Sequence, residues 1–233
     1  MTKRIVMGIV LTAFGLAVLS AQPAAQDLQQ KLAAAKQAAA KNQQALRSYS
    51  WLSTTRLSYK GEVKSTKVEQ CQYGADGQLQ KTTVVQPPPP EQKRGLRGRV
   101  VEKKTDEMKD QLESASALVK QYVPPDPGLM QVVMNTGTAS IAQAGPALVA
   151  LKFPGYVKQG DALTLTFESA VKSLQRIDVS TWLDQPSTAV TLQVTMQRLP
   201  DGTSYPAQVT LGIPSSQVEV AITNSNYQRV GGS

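Results

Sequence analysis

The chain of 233 residues contains no histidine and a single cysteine, Cys71. Without histidine the chain cannot build a Ser-His-Asp or Cys-His catalytic arrangement, and it lacks the commonest metal-binding side chain. One cysteine allows neither an internal disulfide nor a thiolate zinc site, so the folded chain depends on packing. The sequence has no phosphate-binding glycine motif and no G-x-S-x-G motif. These absences argue against an enzyme, and we expect neither a cofactor nor a metal; an enzyme based on lysine or tyrosine remains the alternative.

The first residues have the parts of a secretory signal peptide. Lys3 and Arg4 are basic, residues 5–19 form an apolar run, and the next two residues are small. The apolar run of 15 residues is short for a membrane span. We therefore expect residues 1–21 to be cleaved and the mature protein to be periplasmic or extracellular. An uncleaved N-terminal anchor is the alternative.

The positive charge of the chain is unevenly distributed. The formal net charge is +8, and it is +6 without Lys3 and Arg4. Residues 161–233 nevertheless contain four basic and six acidic side chains. A protein that binds nucleic acid over its whole surface is not expected to divide its charge in this way. We therefore expect no nucleic-acid partner.

Three stretches have the composition of helices. Residues 26–47 are rich in alanine, glutamine and lysine and contain neither glycine nor proline, so they predict a helix that lies closely against a sheet. A coiled-coil partner helix is the alternative for this stretch. Apolar residues recur three and four apart over residues 105–123, and Pro124 follows. Residues 128–144 predict a further helix, although Gly137 weakens it.

Alternation of apolar and polar side chains predicts antiparallel strands in two parts of the chain. Residues 49–59, 63–73 and 78–85 predict three strands that glycine-containing turns connect. Residues 147–230 contain at least five more such segments, which turn residues separate. A period of two places one face of the sheet in the core and the other face in water.

A proline tract and a basic cluster lie between the two strand-rich parts. Residues 87–90 are four consecutive prolines, which cannot donate hydrogen bonds to a sheet. The basic side chains that follow include Lys93, Arg94, Arg97 and Arg99. Residues 86–104 therefore predict a surface loop, which is either a solvated connector or a contact to an anionic membrane surface or partner.

Taken in order, the chain has a signal peptide, an alanine-rich helix, three strands, a basic loop, a helical insertion at residues 105–144 and long antiparallel strands. This order resembles the LolA/LolB-like fold of periplasmic lipoprotein carriers, and it is similar to uncharacterised exported bacterial proteins of that type. The resemblance implies an α+β fold. In that fold a curved antiparallel sheet, an open half-barrel, is covered by an N-terminal helix and an inserted helix pair. It also implies a single domain over residues 22–233.

A sheet with one apolar face, and helices that carry methionine and leucine to cover it, favour a protein that binds an apolar ligand. We expect a non-enzymatic carrier that shelters a lipid or the acyl chain of a lipoprotein, so that its partner is a lipid or an acylated protein. The side chains expected to line the cavity are Trp51, Leu57, Met130, Met134, Leu163, Leu165, Phe167, Leu192, Val194 and Met196. The alternative is an envelope scaffold or protein-interaction module with a filled core. The sequence leaves the oligomeric state open.

Overall fold

The computed structural model describes residues 37, 39–86, 96–170 and 173–230, and it describes residues 96–102 by their backbone alone. The predicted signal peptide, the first part of the predicted helix at residues 26–47, and the basic residues Lys93 and Arg94 lie outside the described residues. Within the described residues the first helix, α1, spans residues 39–46 and leads directly into the sheet.

Ten strands form one sheet in the described part of the chain. They are β1 (Tyr49–Tyr59), β2 (Glu62–Tyr73), β3 (Leu79–Val85), β4 (Ser140–Gly145), β5 (Leu148–Pro154), β6 (Ala162–Glu168), β7 (Ser173–Trp182), β8 (Ala189–Arg198), β9 (Ser204–Ile213) and β10 (Val218–Arg229). The helices after α1 are α2 (Leu96–Val119) and α3 (Pro127–Asn135), and a 3₁₀ turn spans Pro214–Ser216. The predicted meander of β1, β2 and β3 is confirmed, and so are the strands predicted after residue 147.

The sheet is an open antiparallel meander with the strand order β3-β2-β1-β10-β9-β8-β7-β6-β5-β4. The first and last strands in the sequence, β1 and β10, lie side by side, with Leu57 opposite Val220. This pairing makes β3 and β4 the two edges of the sheet. The chain passes from one edge to the other by way of α2 and α3.

The expected fold class, an α+β half-barrel covered by helices, is wrong, because the fold is strand-rich: an open sheet of ten strands dominates the described residues, and the helices cover only part of it. The main difference lies in residues 128–144, for which the sequence predicts a helix. α3 ends at Asn135, Gly137 has a φ of +72°, and Ser140–Gly145 pairs with β5 as an edge strand. Glycine reaches this left-handed conformation without the steric cost that other residues have, so it ends the helix early.

The bounds of α2 also differ from the predicted helix at residues 105–123. α2 begins at Leu96 and ends at Val119. Residues 96–104, which the sequence predicts as part of a surface loop, are therefore helical. Arginine, lysine and glutamate are good helix formers, and they outweigh the single glycine in this stretch. Lys103 and Glu107, four residues apart, add an ion pair of 3.9 Å on the exposed side of the helix.

α3 begins at a residue that suits a helix start. The Asp126 carboxylate accepts hydrogen bonds from the backbone N–H groups of Gly128 at 2.7 Å and of Leu129 at 3.0 Å. Pro127 follows as the first helical residue, a position where its missing N–H has no cost. The Asp126 backbone N–H also donates to the Tyr156 hydroxyl at 2.6 Å, which ties the start of α3 to the segment after β5.

The hydrophobic core lies between α2, α3 and one face of the sheet, which we call the inner face; the opposite face is the outer face. Its buried members include Ala115, Val119, Tyr122, Met130 and Val133 from the helical part of the chain, and Phe153, Leu163, Leu165, Ile177, Val179, Val190, Leu192, Val194 and Ile213 from the strands. We call this set the helix-covered core. Its strand residues belong to β5, β6, β7, β8 and β9. Among the described residues it contains no buried side chain from β1, β2, β3 or β10.

A buried polar network ties the end of α2 to the sheet. The hydroxyl of Tyr122, which is completely buried, donates a hydrogen bond of 2.5 Å to Oδ2 of Asp161 and lies 2.9 Å from Oγ1 of Thr181. The same Asp161 oxygen accepts hydrogen bonds from the backbone N–H groups of Val157 and Lys158. Burial and the bond to Asp161 raise the pKa of Tyr122 well above its usual range, so the hydroxyl remains a donor. We call these five residues the Asp161 network.

Candidate functional site

The inner face continues beyond the helix-covered core onto β10 and β1. Directly opposed residues on neighbouring antiparallel strands lie on the same face of a sheet. Leu211 is opposite Val220, and Val220 is opposite Leu57. In the next row on this face, Val209 is opposite Ile222. We call Leu57, Val220 and Ile222 the apolar strip.

The apolar strip is half-buried and lies outside the helix-covered core. Val209 and Leu211 still pack against that core, whereas the three side chains of the strip do not. In the described part of the chain, α2 and α3 therefore cover the inner face over β5 to β9 and leave the strip partly accessible to solvent. An accessible apolar surface with polar residues at its border is typical of a site for a ligand or partner.

Three charged side chains lie on the inner face beside the strip, and we call them the Lys67–Glu69–Lys81 cluster. Lys67 is opposite Thr55, which is opposite Ile222. The Glu69 carboxylate lies 2.6 Å from Nζ of Lys67 and 3.7 Å from Nζ of Lys81. Glu69 is 7 % exposed. The hydrogen bond from Lys67 lowers the pKa of Glu69 from its usual value, against the opposing effect of burial.

An aromatic cluster occupies the inner face near the start of β1 and the end of β10. Trp51 stacks on Tyr227 with ring centroids 5.5 Å apart, and its ring lies 5.7 Å from that of Tyr73. Tyr227 also contacts Tyr205 at 4.2 Å and Tyr49 at 6.3 Å. Burial raises the pKa of Tyr227 well above its usual range. Because Trp51 is 8 % exposed, this end of the face is closed by packed rings.

Polar contacts hold α1 and the start of β1 to the turn between β8 and β9. The Tyr49 hydroxyl donates to Oδ2 of Asp201 at 2.6 Å, and Arg229 forms an ion pair of 2.8 Å with the same oxygen. Asn42 in α1 donates to the backbone carbonyl of Ser204 at 2.7 Å and accepts from its N–H at 2.6 Å. The contacts of Asn42 and Tyr49 join segments that are more than 150 residues apart in the chain.

The Asp201 contacts predict that part of the stability is sensitive to acid. The hydrogen bond from Tyr49 is the main reason that the pKa of Asp201 lies below its usual range. A carboxyl whose pKa is lower in the folded state stabilises the fold above its unfolded pKa of about 3.9, and this stabilisation is lost as the pH falls below that value. We expect Asp201→Asn to lower the thermal unfolding midpoint at pH 7 and to differ less from wild type at pH 3. An equal difference at both pH values would contradict this, and the exposed Asp184→Asn is the control.

The structure brings eight of the ten predicted cavity residues together, but it packs them in or against the helix-covered core. Met130, Leu163, Leu165, Leu192 and Val194 are buried in the helix-covered core, and Met134, Phe167 and Met196 pack against it. A ligand at this position would have to displace packed side chains. Trp51 lies in the aromatic cluster and Leu57 in the apolar strip. The assignment of the ten residues to ligand binding stays a prediction, and Leu57 is the member that lies in the accessible strip.

The predicted contact to an anionic surface also stays a prediction. Arg97 and Arg99 lie in the first turns of α2, where the backbone alone is described. Lys93 and Arg94 lie outside the described residues. The structure therefore shows that the backbone at Arg97 and Arg99 is helical.

Two open grooves lie away from the apolar strip. One, of about 450 Å³, is on the outer face of the sheet and is lined by Lys152, Ala162, Thr164, Asp178, Val179, Ser180, Thr191, Leu192, Gln193 and Thr210. The other, of about 250 Å³, is lined by Asp110, Gln111, Ser114, Leu118, Leu183 and Asp184. Seven of the ten residues that line the first groove and four of the six that line the second have polar side chains. Leu192 is the one predicted cavity residue that lines either groove.

Two observations bear on thiol and metal chemistry in the described residues. Cys71 is 1 % exposed, and burial raises the pKa of its thiol, which disfavours the nucleophilic thiolate. No three His, Cys, Asp or Glu side chains in this part of the chain are grouped so that they could hold a metal ion. None of the described helices is both long enough and apolar enough to cross a membrane.

The sequence pattern does not reveal the Lys67–Glu69–Lys81 cluster. Both faces of the predicted strand at residues 63–73 are mixed in polarity, so alternation does not show which face is inner. The pairing of Trp51 with Cys71 sets that face, because it places Glu69 and Lys67 on the same side as the buried tryptophan. One signal was available: the predicted strand at residues 63–73 has no apolar face, whereas the predicted strand before it, residues 49–59, has one.

These features define the class of the protein as an open, ten-stranded antiparallel sheet with one helix-covered part and one accessible apolar strip beside a lysine-rich cluster. No protein-family model matches the chain, and no curated protein matches it. The chain is similar to the crystal structure of a DUF1329 family protein from Desulfovibrio piger, with 10 % sequence identity and a TM-score of 0.39. That likeness covers 91 % of this chain and 94 % of the other. These values assign the chain to no family.

Proposed function

We propose that the protein is an exported, non-enzymatic binding protein that holds the acyl chain of a lipid or an acylated protein against the apolar strip. One observation carries the proposal: the strip is accessible on a sheet face that α2 and α3 bury elsewhere. The expected periplasmic or extracellular location and the resemblance to LolA/LolB-like carriers agree with this role, and both remain predictions from the sequence.

The chemistry of the apolar strip suits an acyl chain. Its three side chains are aliphatic and lie on neighbouring strands, which are about 4.8 Å apart in a sheet. Val209 and Leu211 extend the same apolar surface toward the helix-covered core. Each methylene group that is fully buried contributes about 0.8 kcal/mol, so ten methylenes contribute at most about 8 kcal/mol on an open face, before the costs of association. Such binding needs no reactive group.

Leu57→Asn is expected to weaken the binding of a fluorescent fatty acid, dansyl-undecanoic acid, by about tenfold, because it replaces an aliphatic side chain of the strip with a polar amide. The measurement is a fluorescence titration. Ser58→Asn is the matched control, since Ser58 is the next residue on β1 and lies on the outer face opposite Glu219. Circular dichroism of both variants shows whether the sheet remains folded. Equal weakening in the two variants would contradict a site at the strip.

Native mass spectrometry of the protein purified from its own envelope provides a second test. We expect a bound lipid whose mass disappears after delipidation. Recovery without lipid, together with no uptake of the fluorescent fatty acid, would contradict the proposed function.

A protein-interaction module is the second candidate, and the edge strand β3 favours it. All seven residues of β3 are exposed, including Val84 at 59 % and Val85 at 50 %. An exposed edge has backbone groups that can pair with a strand from a partner. In the same mass spectrum, a retained protein partner or second copy in place of a lipid would support this candidate.

A further inference from the structure

We infer that the ligand of the apolar strip is a single-chain amphiphile with an anionic head group, and that Lys67 and Lys81 hold the head group. This inference rests on the proposed function and specifies its ligand class. The acyl chain lies along Leu57, Val220 and Ile222, and the head group lies over β2 and β3.

The register of the strands places the two parts of this site next to each other. Ile222, Thr55 and Lys67 are directly opposed on three neighbouring strands of the inner face. Strands are about 4.8 Å apart, so Lys67 starts about 10 Å from Ile222 across the sheet. Lys81 is opposite Cys71 on the same face and reaches the same carboxylate as Lys67.

The charges of the Lys67–Glu69–Lys81 cluster do not balance. Two ammonium groups share one carboxylate, which leaves a formal excess of one positive charge beside an apolar surface. The other acidic side chains of β1, β2, β3 and β10 do not face this cluster unpaired: Glu62 pairs with Lys64, and Glu219 lies on the outer face opposite Ser58. An anionic head group would neutralise this excess positive charge.

The exposure of the three side chains shows which of them can receive a ligand. The side chain of Glu69 is 10 % exposed, whereas those of Lys67 and Lys81 are 43 % and 48 % exposed. The ammonium groups are therefore reachable while the carboxylate beneath them is covered. Charged residues at these positions also break the apolar pattern of the inner face, and such breaks are expected at functional sites.

The test compares three probes on the full mature chain: dansyl-undecanoic acid, its methyl ester and sodium acetate. The acid has both chain and charge, the ester has the chain alone, and acetate has the charge alone. We expect the acid to bind more tightly than the ester and acetate to bind negligibly. We also expect added NaCl to weaken binding of the acid and not of the ester, because salt screens exposed charges.

Substitutions test the lysines directly. Lys67→Gln and Lys81→Gln are each expected to weaken binding of the acid by about two- to fivefold, the effect of one exposed ion pair, and to leave the ester unchanged. Glu69→Gln is expected to act in the opposite direction and strengthen binding of the acid, because the lysines lose their competing partner. Lys152→Gln, on the outer face opposite Thr164, is the control.

Together, the outcomes distinguish a failure of the inference from a failure of the proposed function. Equal binding of acid and ester, with no effect of salt, would overturn the anionic head group and leave an acyl site at the strip. Weaker binding of the acid in Glu69→Gln would also overturn the inference, because the lysines would then serve the carboxylate alone. Binding of neither dansyl probe would overturn both. If a variant fails to fold, the salt dependence of the wild-type protein decides.

Discussion

Replacement of Asp161 by alanine is expected to lower the free energy of unfolding by about 3–5 kcal/mol. Asp161 is 2 % exposed, and its Oδ2 accepts hydrogen bonds from the Tyr122 hydroxyl and from the backbone N–H groups of Val157 and Lys158. Alanine leaves three donors in the interior without this acceptor. Each unsatisfied buried donor costs about 1–3 kcal/mol, and partial access of water to the backbone groups reduces the sum.

Urea unfolding followed by circular dichroism measures this loss. Tyr122→Phe keeps the buried ring and removes one hydroxyl, so we expect a smaller loss of about 1–2 kcal/mol. Asp184→Ala, an exposed carboxylate after β7, is the control, with an expected change within about 0.5 kcal/mol. A loss below about 1 kcal/mol for Asp161→Ala would show that the Asp161 network does not stabilise the end of α2.

The strands could be predicted from the sequence because each has its own local signal. In β6 the apolar residues Leu163 and Leu165 alternate with Thr164, and this period of two requires a sheet with one buried face. The bounds of β1, Tyr49–Tyr59, agree with the predicted strand at both ends. A turn residue sets the end of β1, because Gly61 adopts a φ of +77° that other residues rarely adopt.

Features that depend on distant pairing could not be predicted in the same way. The contact between β1 and β10 joins residues at opposite ends of the described chain, and no local pattern specifies it. The edge strand β4, Ser140–Gly145, is exposed at five of six positions, so it has little apolar alternation to distinguish it from a helix or loop. Its pairing with β5 is a tertiary contact that overrides the local helical signal.

Part of the candidate site could be predicted from the sequence, because alternation shows which residues of a strand share a face. Alternation placed Trp51 and Leu57 on one face of a strand, and that face is the inner one. Alternation does not say which apolar residues the helices will cover, so Leu165 and Leu57 looked equivalent although one is in the core and the other is accessible. The position of Lys67 beside the strip required the register of three strands.

Trp51→Ala is expected to lower the free energy of unfolding by about 3–5 kcal/mol, the usual cost of removing a buried large aromatic side chain. Trp51 is 8 % exposed between Tyr227 and Tyr73, so the truncation leaves a cavity that two other rings line. Urea unfolding followed by circular dichroism measures the loss. Leu52→Ala is the control, because Leu52 is the next residue on β1 and lies half-buried on the outer face opposite Gln70.

Trp51→Phe then separates packing from ligand binding at the aromatic cluster. Phenylalanine retains an aromatic ring next to Tyr227, so we expect a loss of about 1–2 kcal/mol in the free energy of unfolding and a change of less than about twofold in the affinity for dansyl-undecanoic acid. The small change in affinity follows from the geometry, because packed tyrosines cover Trp51 while Leu57 is accessible. A loss of affinity as large as that of Leu57→Asn, in a variant that remains folded, would extend the acyl site to Trp51, as the sequence predicts. An unchanged affinity would confine the site to the apolar strip.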